Sequence, residues 1–334
     1  MDVGNPETHA NLQNSEQLTS SLLKAAQHGD MQAVRQLIAA NASLDEKDER
    51  GWSPLMWAAY EGHSEIVHLL IDARATVNIR NKNRATPLIE AAQAGHTSAA
   101  EVLVNASSSG ASEAIKWAVQ NGCNEAIDVL INAKAPIDTQ DSRGQTLLMD
   151  ACICGYADVV EQLLAAHASV DTQSHTKWTA LMSSAMNGHA DITQLLLNAK
   201  ATVNILDDRH YSPFTLAVIN KFSAVAQILL DAKAEIDVQD NYGRTPLLLA
   251  TRTGLQDMVT FLVGANASLD VKDHDGQTPL LAAIASCNTS ITEILVRARA
   301  NVDVSDNDGM TPLMLASKYN FTGVVQVLLD AQQQ

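Results

Sequence analysis

Apolar residues recur along this chain at the spacing of short amphipathic helices, with two such helices in each unit. In one unit, Leu55, Ala58 and Ala59 fall on one face of a predicted first helix. Ile66 and Leu70 fall on one face of a predicted second helix. Helices this short cannot bury their apolar faces alone. The pattern therefore predicts helix pairs that pack against the pairs before and after them.

The pairs follow one another with a fixed period. The first helices close at positions 29, 62, 95, 122, 155, 188, 221, 254, 287 and 320, so every step is 33 residues except the step of 27 from 95 to 122. A leucine stands eight residues after each of these ten positions, from Leu37 to Leu328. A period of this length predicts about ten units of a stacked repeat.

The start of the first helix and the segment between helix pairs both carry recognisable signals. Five units open with Thr or Ser, then Pro and Leu, as in Ser53-Pro54-Leu55, which suits a capped helix with proline in its first turn. Between pairs, an apolar-polar alternation and a turn, such as residues 236–243, predict a short β-hairpin finger. Arg84, Lys177 and His210 replace the glycine of this turn, so we expect these three fingers to be looser or differently turned.

The chain resembles the ankyrin-repeat family. The pattern T-P-L-x-x-A-x-x-x-G-H-x-x-I-V-x-x-L-L can be followed from Thr86 to Val104 and from Ser53 to Ile71, and the resemblance covers residues 20–331. It implies an all-α repeat solenoid of stacked helix pairs with β-hairpin fingers. It implies no particular ligand.

The predicted boundaries follow from composition and period. Residues 1–17 are polar without apolar periodicity, so we expect a mobile N-terminal tail, with the first helix beginning at about Ser20. Residues 18–331 form a single solenoid, and 332–334 form a C-terminal tail. Near 105–112 the finger is missing, because this step of the repeat is six residues short (33 − 27).

Bulk charge narrows the range of partners. The 334 residues carry a net charge of −16, which disfavours nucleic acid and anionic membranes and favours a partner with basic patches. The four cysteines lack the spacing of a disulfide scaffold, and no stretch of 18 apolar residues occurs. We therefore expect a cytoplasmic protein.

The sequence offers little catalytic chemistry. His63, His96 and His189 each follow the glycine that closes a first helix, which predicts a scaffold role in the turn. Glu90 and Asp150 share one column of the repeat and could converge as a carboxylate pair, but two repeat steps separate them. There is no phosphate-binding glycine loop and no zinc spacing. We predict no enzyme activity, no cofactor and no metal site.

Aromatic and charged residues concentrate in the columns that the resemblance assigns to the fingers and to the exposed inner-helix face of a concave surface. Large amphipathic rings on such a face are frequent interface anchors. The four tryptophans should then be substantially exposed, although the rings could instead pack sideways and stiffen neighbouring fingers. The predicted partner-binding residues are Trp52, Trp57, Tyr60, Glu61, Glu90, Trp117, Asp150, Trp178, Tyr211, Tyr242, Arg244, Arg252 and Tyr319.

These observations predict a non-enzymatic protein-protein interaction module, acting as an adaptor, scaffold or inhibitor. Its partner would be a protein or peptide of basic or amphipathic character, bound on the concave face around Trp57 and Trp117. The alternative is a structural role with self-association through the end repeats. In its favour, Val324 and Leu328 keep the internal apolar pattern in the last unit, where a more polar surface is typical.

Overall fold

The computed structural model describes residues 6–332 of the chain, with side chains from residue 16 onward. Over this range it contains twenty α-helices and no β-strand. The helices are α1 (Pro6–His28), α2 (Met31–Ala39), α3 (Pro54–Tyr60), α4 (Ser64–Asp72), α5 (Pro87–Gln93), α6 (Thr97–Ala106), α7 (Ser108–Gln120), α8 (Asn124–Asn132), α9 (Leu147–Cys154), α10 (Ala157–Ala165), α11 (Ala180–Asn187), α12 (Ala190–Asn198), α13 (Pro213–Ile219), α14 (Ser223–Asp231), α15 (Pro246–Arg252), α16 (Gln256–Gly264), α17 (Pro279–Ala285), α18 (Thr289–Arg297), α19 (Pro312–Lys318) and α20 (Thr322–Gln332).

The helices pair in sequence and divide between two compact units. One unit, Met1–Asp141 with Thr146–Ser169, contains α1 to α10, and the other, Ser142–Gln145 with Val170–Gln334, contains α11 to α20. Within each unit the first helix of a pair packs against its second helix and against the first helix of the next pair, as α3 does with α4 and α5. The predicted all-α repeat solenoid is confirmed.

The ten recurring leucines from Leu37 to Leu328, here called the leucine column, contribute one residue to the core from each second helix. Nine of its ten members are buried, and Leu37 in α2 is half-buried. In the first helices, small residues such as Ala58 and Ala91 are fully buried and allow neighbouring helices to approach closely.

The starts of the first helices follow the predicted chemistry. Ser53 has an extended backbone, and its Oγ accepts a hydrogen bond from the Met56 N–H at 3.3 Å, ahead of Pro54 at the first helical position. Thr86 does the same for α5. Each first helix with this phrase therefore begins at a defined residue.

A hydrogen bond to an aspartate side chain joins many successive repeats. The Asp45 carboxylate accepts the Thr76 backbone N–H at 2.8 Å, and Asp138 accepts that of Ser169 at 2.9 Å. The same carboxylate-to-amide bond recurs at Asp171, Asp237 and Asp270, each with a residue 31 positions further along. Part of the acidic content of the chain is thus used to connect neighbouring repeats.

The predicted fingers are tight turns without strands in the described residues. In the first, the Asp48 N–H donates to the Trp52 carbonyl and the Gly51 N–H donates to the Asp48 carbonyl, each at 2.9 Å. Arg84, Lys177 and His210 have φ of 64°, 59° and 60°, the same left-handed region as Gly51. These turns are therefore not differently formed, and each side chain tolerates the strained φ that glycine would avoid.

The first helix begins earlier than expected, at Pro6 instead of near Ser20. Residues 6–17, predicted as tail, are therefore helical, and residues 1–5 and 333–334 of the predicted tails lie outside the described residues. This segment has no apolar stripe, and only half of its residues, its glutamates, glutamines, alanine and leucine, are good helix formers. Apolar periodicity alone could not detect such a helix.

Only Ser107 separates α6 from α7, at the short step of the repeat. Its Oγ accepts the Gly110 N–H at 3.2 Å, which caps α7, and bonds the Asn78 side-chain amide at 2.9 Å. The rest of 105–112 is helical, so the segment contains no turn of the kind that joins other pairs.

Replacing Leu130 or Leu163 by alanine should lower the free energy of unfolding by about 2 to 5 kcal/mol, because each substitution leaves a cavity in the core. Both side chains are almost completely buried. Leu329→Ala is the matched control, since Leu329 is 37% exposed and should cost much less. Urea denaturation of the three variants measures the difference. Unchanged midpoints for Leu130→Ala and Leu163→Ala would show that the repeat register is misassigned.

Candidate partner-binding site

One polar side chain holds the backbone in many of the turns next to the predicted face. The Asp48 Oδ1 atom accepts the backbone N–H groups of Arg50 and Trp52, both at 2.9 Å. Asn81 accepts those of Asn83 and Ala85 in the same way. The other turns held by a side-chain oxygen of this column have Ser174, Asp207, Asp240, Asp273 and Asp306.

These turn residues were missed by the sequence analysis, although a signal was present. Asp or Asn, with Ser174 as an exception, recurs three positions before the turn glycine or its substitute, as in Asp48 and Asp240. Short side chains with an acceptor oxygen favour such turns because they bond to the backbone two residues further along.

The second oxygen of several turn carboxylates reaches the predicted binding residues. Asp48 Oδ2 accepts the Trp57 indole N–H at 3.0 Å, and Asp240 Oδ2 accepts the Arg244 guanidinium at 2.8 Å. Partial burial acts to lower the pKa of Arg244, but the hydrogen bond and charge of Asp240 outweigh it and raise the pKa. Arg252 lies 3.4 Å from Asp273. Both predicted arginines are therefore already paired with carboxylates of the chain.

Three predicted residues meet in what we call the N-terminal aromatic cluster: Trp52, Trp57 and Tyr60. The two indole rings have centroids 4.6 Å apart. The Tyr60 ring stands nearly perpendicular to both, at 81° to Trp52 and 86° to Trp57. Both tryptophans are half-buried and Tyr60 is 40% exposed. The cluster combines the end of a turn with the exposed side of α3, and the exposed Glu61 follows it directly.

The other two tryptophans lie apart from this cluster. Trp117 on α7 is half-buried and makes none of the ring contacts that join the cluster among the described residues. Trp178 is also half-buried and donates its indole N–H to Ser183 at 2.9 Å. None of the four tryptophans is fully buried, but each is half-buried and so less exposed than expected.

Glu90 and Asp150 are buried, contrary to the expectation of a surface position. Glu90 is 7% exposed and accepts the Asn81 amide at 2.7 Å. Asp150 is 9% exposed, and its carboxylate lies 3.2 Å from the Gln120 amide and 3.7 Å from the Lys116 ammonium. Each carboxylate thus has its own set of partners, and these contacts do not join the two as a pair.

A lysine or arginine of the same chain lies beside each of the remaining predicted tyrosines. Arg209 lies 4.9 Å from the centroid of the Tyr211 ring, Arg244 lies 4.5 Å from that of Tyr242 and Lys318 lies 5.8 Å from that of Tyr319. A cation over a ring face is attracted to the negative side of the aromatic quadrupole. These three ring faces are therefore partly occupied.

Two of the histidines that follow a closing glycine, His63 and His96, pack against the preceding repeat. His63 Nε2 lies 3.1 Å from the Gln27 carbonyl oxygen. A Cβ added to Gly29 would lie only 2.7 Å from the His63 ring, so the ring of one repeat lies over the glycine of the repeat before. His96 over Gly62 repeats the arrangement.

One groove was not predicted. It lies between α14 and α16, has a volume of about 1020 Å³ and includes Lys221, Leu255 and Phe261 in its lining. Here lysine and leucine replace the glycine and ring that pack together in neighbouring repeats. The groove lies on second helices of the second unit, and the aromatic cluster belongs to the first unit.

Sequence comparison places the chain in a family. The family described as Ankyrin repeats (3 copies) matches residues 22–115, 115–207, 158–240, 201–273 and 257–334. The chain belongs to the ankyrin-repeat family. No curated protein sequence matches it.

Solved ankyrin repeat domains share its fold. A domain from Acinetobacter baumannii AYE aligns with a TM-score of 0.53 and 27% identity, covering 55% of this chain and 97% of that one. The ankyrin repeat domain of Bcl-3, a member of the IkappaB protein family, aligns with a TM-score of 0.60 and 24% identity, covering 64% and 96%. No helix in residues 6–332 of this ankyrin-repeat chain is long and apolar enough to cross a membrane.

The burial of Glu90 in these ankyrin repeats predicts a pH-dependent stability. Burial raises its pKa and the Asn81 hydrogen bond only partly opposes this, so the folded state holds the proton to a higher pH than the unfolded state does. The contribution of the protonated group is present at low pH and is lost as pH rises through the folded pKa. Glu90→Gln should therefore stabilise the protein relative to wild type at pH 7, by a margin that shrinks toward pH 4.5.

Chemical denaturation of both proteins between pH 4.5 and 7 measures this margin. Glu61→Gln is the control, since Glu61 is exposed and should show no such trend. A margin that grows toward low pH would contradict the assignment.

Proposed function

We propose that this ankyrin-repeat protein is a non-enzymatic interaction module that binds a protein or peptide partner through its turns and first helices. Ankyrin repeats in general are protein-protein interaction modules. The observation that carries the proposal is the N-terminal aromatic cluster, three large amphipathic rings in mutual contact and only partly covered. Such rings offer contact area at a low entropy cost and are enriched among interface hot spots.

The candidate catalytic groups support binding over catalysis. Glu90 and Asp150 are buried with separate hydrogen-bond partners, and His63 packs against the previous repeat. An adaptor, scaffold or inhibitor needs none of these groups as reactive residues. We place the protein in the cytoplasm, which suits its four free thiols.

The partner should be basic or amphipathic. The net charge of −16 attracts basic proteins and repels nucleic acid and anionic membranes. Glu61 adds an exposed carboxylate beside the cluster, whereas Arg244 and Arg252 are paired with the chain's own carboxylates. We therefore place the main contact at the N-terminal aromatic cluster, with Trp117 and Tyr242 as secondary candidates.

A second candidate function is self-association through the last helix pair. Met314 and Leu329 are exposed apolar side chains on α19 and α20. An apolar surface of this kind can pair with another copy of the chain. Sedimentation of the wild type at several concentrations measures this self-association.

The test compares three versions of the full chain as baits for partner capture, followed by measurement of the dissociation constant with the purified partner. The baits are wild type, the double variant Trp52→Leu with Tyr60→Leu, and a control with His68→Ala and Glu161→Ala. The control residues are exposed on α4 and α10. The aromatic variant should weaken binding at least about tenfold, since truncating two hot-spot anchors costs more than 1.4 kcal/mol.

The control should bind like wild type. A partner that loses affinity for the control and keeps it for the aromatic variant would place the site on the second helices. Concentration-dependent association of the wild type, with no partner captured, would favour self-assembly.

A further inference from the structure

We propose that the N-terminal aromatic cluster, together with Glu61, binds one cationic side chain of the partner, an arginine or a lysine. This inference rests on the proposed function and adds the chemistry of the group that the cluster recognises. It follows from the cations that lie beside other tyrosine rings of the chain and from the charges around the cluster.

Three of the other four tyrosine rings, all near turns or first helices, lie beside a cation of the chain itself, and the fourth, Tyr156, packs over Gly122. Arg244 is 4.5 Å from the Tyr242 ring centroid, and Arg209 is 4.9 Å from that of Tyr211. Lys318 lies beside Tyr319 at 5.8 Å. On this kind of surface, a ring face and a cation are therefore a recurring pair.

The N-terminal aromatic cluster has no such cation. Among the described residues, no lysine or arginine of the chain lies over the rings of Trp52, Trp57 or Tyr60. The nearby lysines of the turns bond to backbone carbonyls, as Lys47 does to Arg80 at 2.7 Å and Lys82 does to Glu49. The cluster is thus left without the partner that similar rings have.

The charges next to the cluster suit a cation. The Asp48 carboxylate accepts the Trp57 indole N–H at 3.0 Å, which places negative charge at the edge of the indole and increases the electron density of its face. Glu61 is exposed directly after Tyr60, and its carboxylate has no hydrogen bond or ion pair with another described side chain or backbone group. A guanidinium or ammonium group could contact a ring face and this carboxylate together.

The geometry of the rings gives the site its shape. Tyr60 stands nearly perpendicular to both indoles, so ring faces of different orientation meet at one corner. The indoles themselves are 4.6 Å apart and leave no space for a group between them. A bound side chain would therefore lie against the outer faces and remain partly solvated.

The probe is N-acetyl-arginine amide, titrated into the full chain carrying ¹⁵N-labelled tryptophan indoles. N-acetyl-citrulline amide is the matched comparison, because it has nearly the same shape without the charge, and sodium chloride equalises the ionic strength. The four indole signals are assigned with single Trp→Phe variants. Trp117 and Trp178 act as internal controls.

The arginine probe should shift the Trp52 and Trp57 signals saturably while leaving Trp117 and Trp178 unchanged. Citrulline should bind about 2- to 30-fold more weakly, the range that a cation over an aromatic face provides. Tyr60→Leu and Glu61→Gln should each weaken the arginine response. Arg50→Gln should not weaken it, because this exposed arginine of the same turn can only compete with the probe.

Equal responses to arginine and citrulline, a response shared by all four tryptophans, or no response at all would overturn the inference. None of these results bears on whether a protein partner needs the cluster, which the capture experiment decides. If capture shows that the cluster is needed but the probe does not discriminate charge, the proposed function stands and the cationic anchor is wrong. If the aromatic variant binds the captured partner as well as wild type does, the assignment of the binding site to the cluster is wrong, whatever the probe shows.

Discussion

In many of the turns, one side-chain oxygen holds the backbone that leads into the following first helix. Asp48 accepts two backbone N–H groups, Asn81 does the same one repeat later, and so do Asp207 and Asp240 in the second unit. Without this acceptor, two N–H groups in a tight turn would lack a partner, which is costly where water has little access. The bond explains why the turns keep one geometry even where Arg84 or His210 takes the place of glycine.

The same arrangement determines the chemistry of the surface. A turn carboxylate has a second oxygen, and it is used to hold Arg244 or the indole of Trp57. Other aspartates, such as Asp45, bond the backbone of the next repeat. Much of the acidic character is therefore structural, and the net charge alone is weaker support for a basic partner than the sequence suggested. What supports it better is local: one group of rings with no cation over it, next to an unpaired glutamate.

The repeat period made the architecture predictable, because ten leucines and the Thr-Pro-Leu phrase mark the same positions in successive helix pairs. The site was predictable only in part. The position of a residue within the repeat indicates whether it lies near the turn, but not whether its side chain is buried. Glu90 and Asp150 share a column with Trp57 and Trp117, yet the carboxylates are buried beside polar neighbours, Asn81 and Gln120, that the column cannot indicate. The start of the helix at Pro6 was missed because residues 6–17 have no apolar stripe and mixed helix propensity.

Amide hydrogen exchange in two variants of Asp48 tests the central claim most directly. Asparagine keeps the acceptor oxygen, as Asn81 does naturally, whereas alanine removes it. We predict that the Arg50 and Trp52 amides exchange much faster in Asp48→Ala than in wild type and stay protected in Asp48→Asn. Equal protection of both amides in Asp48→Ala and wild type would contradict the account, because the turn would then hold its shape without the side-chain oxygen.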